Sequence, residues 1–251
     1  FNNFRIVKCA DINKKTAENC AKTNKIESVS VNEILKDKNI EIILNLTIPT
    51  AHYLVAKKSL LNGKHVYSEK PLAVDLKDGL ELIKIARRKK LLIGNAPDTF
   101  LGGGNQMARQ LLDKKIIGKI KFGTAIFAFP GIQSYHPNPE PWFRKKGGGP
   151  VIDMGPYYFT ALVNLLGPAK SVRATATKVY DYRTIAIGPK KGHKFEVEIP
   201  TSITGSIAST GSLIISGSEP VQLPLLNSGS GEIDLTTPFQ LWFDSGDNNV
   251  K

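Results

Sequence analysis

Cysteine is scarce in this 251-residue chain: only Cys9 and Cys20 occur, with no CxxC pair and no denser framework. Neither a disulfide scaffold nor a zinc knuckle can be built from them, and no metal site is expected. That usage fits a reducing compartment, so a cytoplasmic location is the expectation. No run approaches the roughly 18 consecutive apolar residues of a membrane span. The opening FNNFRIVKCA lacks the basic, then apolar, then small pattern of a signal peptide, and no membrane partner is expected. There is no internal repeat, and the one compositional shift, a Gly/Ser/Pro-rich stretch at residues 216–231, reads as loop. Acidic residues are few as well: 22 Asp and Glu against 34 Lys and Arg leave a net charge of +12. The lysines are spread along the chain, which reads first as a basic solvated surface and second as a preference for anionic substrates. No aromatic-basic interleaving accompanies the charge, so nucleic acid is not an expected partner.

What is present is enough for a core, with 41% apolar and 22% charged residues. The first half alternates short β-rich runs with longer helical patterns, the grammar of a parallel sheet with crossover helices. Strands are expected at residues 5–10, 40–46, 65–68 and 91–94, apolar enough to be covered on both faces. Helices are expected at 14–23, 31–36, 50–62, 76–89 and 104–115, with Gly63 and Gly118 as C-terminal caps. After Gly118 the pattern changes. A long strand at 119–130, a Pro/Gly-rich loop at 131–150 and a helix at 151–166 precede strand-like runs at 171–180, 195–199, 203–207, 212–216 and 239–243. The expected fold is therefore α/β: a parallel-sheet domain over residues 1–118, then an α+β domain over 119–251 with a mostly antiparallel open sheet.

Ligands of open parallel sheets bind at the carboxyl ends of the strands. Asp11 follows the first strand, where it either accepts from the ribose hydroxyls of a dinucleotide or caps the next helix. Thr47, Pro49 and His52 fall at the next strand-to-helix turn, and Pro49 cannot sit mid-strand or mid-helix. Glu69 and Lys70 lie between a strand and Pro71, which favours an extended conformation at Lys70 and points its ammonium into the cleft at the sheet edge. Asp153 and Tyr157, at i and i+4, share one face of the expected helix 151–166. Gly147, Gly148 and Gly149 before it permit close backbone approach, or form a hinge. No GK[ST] follows them, so they are not a P-loop.

Together the runs ADIN, TIPTAHY, EKPLAVD, GGGNQMARQLLDKKIIGKI, GGGPVIDMGPYYFTALVNLLGP and FEVEIPTSITGSI, in this order, resemble the Gfo/Idh/MocA family of nicotinamide-dependent sugar and polyol oxidoreductases. The resemblance runs from about residue 5 to about residue 207. It implies an N-terminal Rossmann domain, a C-terminal α/β domain with a large sheet, NAD as cofactor with NADP as the alternative, and a homodimer or homotetramer. It places the family's catalytic lysine on Lys70 and its helix aspartate on Asp153. The family's histidine falls on Tyr157, a departure, because a phenol (ordinary pKa about 10) is a poorer base at neutral pH than an imidazole (about 6.5). Asp11, Thr47, Pro49, His52, Glu69 and Lys70 are the implied cofactor contacts; His136, Trp142 and Arg144 are candidates for the substrate. The family's arginine before the second-domain helix is replaced by Asp98 and Thr99. The family's first strand and GxGxxG turn do not occur in these residues, so dinucleotide binding by the chain as it stands is expected to be poor. The functional expectation is hydride transfer from a CH–OH group of a sugar, polyol or related small carbohydrate. The competing one is a non-catalytic binding or assembly protein that kept the fold.

Overall fold

The computed structural model describes residues 4–118, 120, 123–144 and 147–209. The chain divides into two compact units, residues 1–96 and 97–251. Gly118, the boundary expected from sequence, falls inside the second.

In the first unit β1 (Lys8–Cys9) pairs in parallel with β2 (Glu27–Ser28). Separately, β3 (Ile42–Asn45), β4 (His65–Ser68) and β5 (Ile93–Asn95) form a parallel ladder in the order β3-β4-β5. Helices fill the crossovers: α1 (Lys14–Asn24), α2 (Val31–Lys36), α3 (Pro49–Leu61) and α4 (Leu76–Lys89). Their ends follow from local chemistry. Asn13 caps α1 by accepting from the amides of Lys15 and Thr16, and Ser30 with Glu33 forms a reciprocal capping box on α2. Pro49 occupies the first turn of α3, where its missing N–H costs nothing. Gly63 terminates the same helix at φ +77°, its amide bonded to the Leu60 carbonyl.

The core of this unit is Ala56 and Leu60 from α3, Val66 from β4, and Leu82, Ile85 and Ala86 from α4. Both helices therefore pack on one face of the ladder. The expectation of strands covered on both faces is corrected here. Ile43 and Val66 are buried, whereas Ile42, Leu44 and Tyr67, on the opposite face, are 52%, 51% and 39% exposed. The apolar run at 40–46 holds large residues at both parities, so it reads as doubly buried, while its pleat alternates as in any strand.

The second unit contains a 3-10 turn at Thr99–Leu101, α5 (Gly103–Asp113), a 3-10 turn at Ile132–Ser134, α6 (Glu140–Arg144), α7 (Pro150–Asp153) and α8 (Gly155–Leu166). Two antiparallel ladders follow. One joins β6 (Ala169–Thr177) to β9 (Ser202–Ser209), the other β7 (Tyr182–Thr184) to β8 (Lys194–Glu196). Phe143, Ile185, Phe195 and Val197 form the local core, with Ile132, Trp142 and Ile199 against it. Arg109 links α5 to α8 by donating to the Asn164 and Leu165 carbonyls at 2.9 and 3.0 Å, a cation at a helix C-terminus.

Three expectations for this unit are revised. Residues 123–129 of the expected strand 119–130 carry no ladder, and no described strand pairs with them; their apolar content goes into ring packing, with Phe127 4.9 Å from Phe129 and 5.7 Å from Tyr158. The expected loop 131–150 contains a helical turn and α6. The single helix 151–166 is two helices, because Pro156, in the first turn of α8, has no N–H to continue the ladder from α7. The strands expected at 212–216 and 239–243, and the loop at 216–231, lie outside the described residues.

Candidate active site

Three parallel strands each end on a polar residue, and the register sets these side by side: Asn45 opposite Ser68, Ser68 opposite Asn95. Asn45 and Ser68 are buried at 1% and 0% exposure. Asn45 Nδ2 donates to the His52 carbonyl (3.1 Å) and to Ser68 Oγ (3.3 Å), while its Oδ1 accepts from Thr47 Oγ1 (2.7 Å) and the Thr47 amide (3.4 Å). Asn95 Nδ2 donates to the carbonyls of Ser68 (3.0 Å) and Glu69 (2.9 Å). The Glu69 amide donates to the Asn45 carbonyl at 2.9 Å, and Glu69 Oε2 accepts from the Lys70 amide at 3.0 Å. A buried, mutually satisfied polar row thus fixes the loops that leave β3 and β4. Sequence reading passed over these residues. The available signal was a polar residue closing each of three short apolar runs.

Of the expected cofactor contacts, Thr47, Glu69 and Lys70 stand on these anchored loops, and the Lys70-Pro71 peptide is cis. Asp11 is exposed beyond β1, and its Oδ1 accepts from the Asn13 amide at 2.7 Å. Asn13, not Asp11, caps α1, which leaves the ribose role as the open one for Asp11. Pro49 sets the start of α3. The His52 ring is 0% exposed, and both nitrogens face backbone carbonyls, Nδ1 to Pro71 at 2.6 Å and Nε2 to Thr47 at 2.7 Å. It supports the loops and offers no ring atom to a cofactor.

In the second unit Asp153 closes α7, and Tyr157 lies in the first turn of α8. The break at Met154 removes the expected i,i+4 relationship on one continuous helix. Asp153 Oδ2 accepts from the indole Nε1 of Trp142 at 3.1 Å. The glycines before α7 are explained by packing within the unit: a Cβ on Gly148 would lie 2.3 Å from the Trp142 carbonyl oxygen, and one on Gly149 (φ +91°) 2.8 Å from Ile199 Cδ1. Close approach, not a hinge, is their use. Trp142 also packs edge-on to Phe143 and Phe129 at 4.6 and 6.5 Å. His136 and Arg144 are exposed and take part in loop anchoring. His136 Nδ1 accepts from the Asn138 amide; Arg144 bonds the Glu196 carbonyl and pairs with Glu140. Burial pushes the Tyr158 phenol up. Among the described residues no group of three His, Cys, Asp or Glu is placed to hold a metal ion, and no helix is long and apolar enough to cross a membrane.

Parallel strands with polar groups at their carboxyl edge are the arrangement at which open α/β sheets bind ligands, and in the chain they are followed by a unit of antiparallel ladders. Residues 1–96 match the model of an oxidoreductase family with an NAD-binding Rossmann fold, and residues 105–219 that of the GFO/IDH/MocA C-terminal domain. The chain belongs to the Gfo/Idh/MocA family. D-xylose dehydrogenase of Paenarthrobacter nicotinovorans is 28% identical over 201 residues, covering 73% of this chain and 51% of that protein. Trans-1,2-dihydrobenzene-1,2-diol dehydrogenase of Xenopus tropicalis is 32% identical over 155 residues, 61% of this chain and 46% of that protein. The chain spans about half the length of the curated relatives it matches. Among solved structures, an NAD-binding oxidoreductase from Klebsiella pneumoniae aligns with TM-score 0.72 at 24% identity, over 83% of this chain and 56% of that one. Levoglucosan dehydrogenase in complex with NADH and levoglucosan aligns with TM-score 0.69 at 19% identity, over 81% and 54%. At these identities the solved structures speak for the fold.

Proposed function

We propose that this chain serves an NAD(P)-dependent oxidoreductase that transfers a hydride from a CH–OH group of a sugar, polyol or related small carbohydrate. The observation that carries the reading is Lys70, set on a doubly anchored loop at the carboxyl edge of a parallel sheet in a family-matched NAD-binding unit. The residues present fit the ribose and nicotinamide ends of a dinucleotide, whereas the GxGxxG turn that holds its pyrophosphate does not occur among them. Asp11, Thr47 and Glu69 are exposed beyond strand ends whose loops are fixed by buried groups, and together with Pro49 and Lys70 they would hold it. The bound nicotinamide supplies the hydride acceptor. Lys70 donates a hydrogen bond to the reacting oxygen and stabilises the negative charge that develops there. Tyr157 accepts the proton of the hydroxyl. Asp153, its carboxylate oriented by Trp142, positions the substrate, with His136 and Arg144 as the further substrate contacts proposed.

A homodimer or homotetramer in a reducing compartment is the proposed setting, supported by the family and by two free cysteines. The names of the relatives, a pentose dehydrogenase and a cyclic diol dehydrogenase, support a small polyhydroxylated ring as substrate. Calorimetric titration of the protein with NAD(H) and NADP(H), followed by spectrophotometric turnover with a panel of aldoses, polyols and cyclic diols, tests the reading. Cofactor-dependent oxidation of a panel member supports it. Cofactor binding with no turnover of any panel member overturns it in favour of a non-catalytic binding protein.

A further inference from the structure

His52 faces two acceptors and no donor. Its Nδ1 is 2.6 Å from the Pro71 carbonyl oxygen and its Nε2 2.7 Å from that of Thr47, in a ring with 0% exposure. A carbonyl oxygen only accepts, and a neutral imidazole carries one N–H and one lone pair. In either neutral tautomer, a ring lone pair, itself buried, would therefore point at a carbonyl oxygen at hydrogen-bond distance, a repulsive contact with no proton between them. The imidazolium satisfies both. Two carbonyl dipoles directed at the ring offset the cost of burying the charge.

We propose that His52 is a buried imidazolium that ties the loop after β3 to the loop after β4, and is thereby the positioning residue for Lys70. The geometry of the second loop makes the link specific. On one side of Lys70 the Glu69 amide is bonded to the Asn45 carbonyl at 2.9 Å; on the other, the Pro71 carbonyl is bonded to His52. Lys70 is the residue between the two clamps. Releasing the second clamp removes one of the two anchors that flank the backbone aiming its side chain. His52 touches no substrate in this scheme and acts through Pro71. The part concerning turnover rests on the function proposed above; the protonation state and the clamp do not.

The first test is spectroscopic. In the protein labelled with 15N-histidine at neutral pH, long-range proton–nitrogen correlation is expected to show both His52 ring nitrogens protonated, with two ring N–H protons protected from solvent exchange. One unprotonated ring nitrogen overturns the proposal, and this measurement needs no mutant. The second uses His52→Gln, with folding checked by thermal unfolding and amide spectra, and lysines tagged by reductive 13C-methylation. The Lys70 signal, assigned through Lys70→Arg, is expected to shift and broaden while the other lysines hold. An unchanged Lys70 signal in the folded variant overturns the positioning role. Where wild-type turnover is measurable, kcat is expected to fall about tenfold in His52→Gln with cofactor Kd unchanged. If the wild type turns nothing over, the functional reading fails while both spectra still decide the role of His52.

Discussion

The indole of Trp142 and the carboxylate of Asp153 are joined across eleven residues, Nε1 donating to Oδ2 at 3.1 Å. Asp153 is the last residue of α7 and stands two residues before the start of α8. The indole N–H is a donor that holds its carboxylate in one rotamer. Trp142→Phe keeps an aromatic ring against Phe143 and Phe129 and deletes the donor. The expected outcome is a loss of about 1 kcal/mol in unfolding free energy and about a tenfold fall in kcat. Denaturant unfolding and steady-state kinetics check the pair of effects, and unchanged kcat in the variant removes Trp142 from the site.

Lys70→Ala is expected to lower kcat by roughly 100- to 1,000-fold, the usual effect of losing one donor to a developing oxyanion. Cofactor Kd should change by less than about threefold, because the ammonium is assigned to the reacting oxygen and not to the dinucleotide. Equal turnover in variant and wild type would take Lys70 out of the mechanism.

Tyr157→Phe removes a hydroxyl from the first turn of α8 and is expected to reduce turnover by about 100-fold or more, with the fold intact by circular dichroism. A wild-type pH–rate limb in the range of an ordinary imidazole, retained in Tyr157→Phe, would assign the base elsewhere, and His136 would be the next residue to replace.

Where local rules act alone, sequence and structure agree closely. The α4 bounds coincide with the expected ones at residues 76–89, α2 does so at 31–36, and Gly63 takes the left-handed conformation that its role as a cap required. Disagreement begins where a neighbour decides. Residues 123–129 have a strand's composition and no described pairing partner, and the helix through Asp153 reads as continuous until the missing N–H of Pro156 is counted. The position of Lys70 on the loop after β4 was legible through the proline beside it. The supports beneath it were not, because Asn45, Ser68 and Asn95 become neighbours only through the register of three strands far apart in sequence. The turn that carries His52 was legible, but its contacts with the Thr47 and Pro71 carbonyls were not: a polar residue at a strand-to-helix turn faces ligand or loop depending on its rotamer, which spacing does not encode.

Glu140 sits beside two cations, Lys190 Nζ at 3.2 Å and Arg144 Nη1 at 3.7 Å, and the His193 imidazole, whose Nε2 is at 3.7 Å. Its carboxyl is held below the ordinary range, chiefly by the hydrogen bond from Lys190, with burial opposing. A carboxyl whose folded value is depressed contributes stability above its unfolded value, about 4.3 for Glu, and loses it as pH falls through the lower folded value. Glu140→Gln is therefore expected to melt below the wild type at neutral pH, with the gap closing on acidification below about pH 4. A gap that persists or widens under acid would mean that Glu140 acts by packing instead of charge.

Asp11 should set the choice of dinucleotide. Its side chain is exposed immediately past β1, and one oxygen is already used on the Asn13 amide at 2.7 Å. That bond fixes the carboxylate at the mouth of the turn without neutralising it. A 2′-phosphate arriving there meets a like charge, whereas two ribose hydroxyls meet an acceptor. Lys14 and Lys15 open the following helix and favour anions. However, the amides of Lys15 and Thr16 are taken by Asn13, and Lys14 is paired with Glu18 at 3.7 Å, so the nearest fixed charge remains negative. The expected result is tighter binding of NAD(H) than of NADP(H), and a difference that shrinks by about tenfold, or roughly 1.4 kcal/mol, in Asp11→Ser. Because Asn13 and not Asp11 caps α1, the variant should keep the helix, and far-ultraviolet circular dichroism would confirm that the change is one of charge. Tighter NADP(H) binding by the wild type would overturn the assignment and point instead to Lys14 and Lys15 as the groups that meet the phosphate.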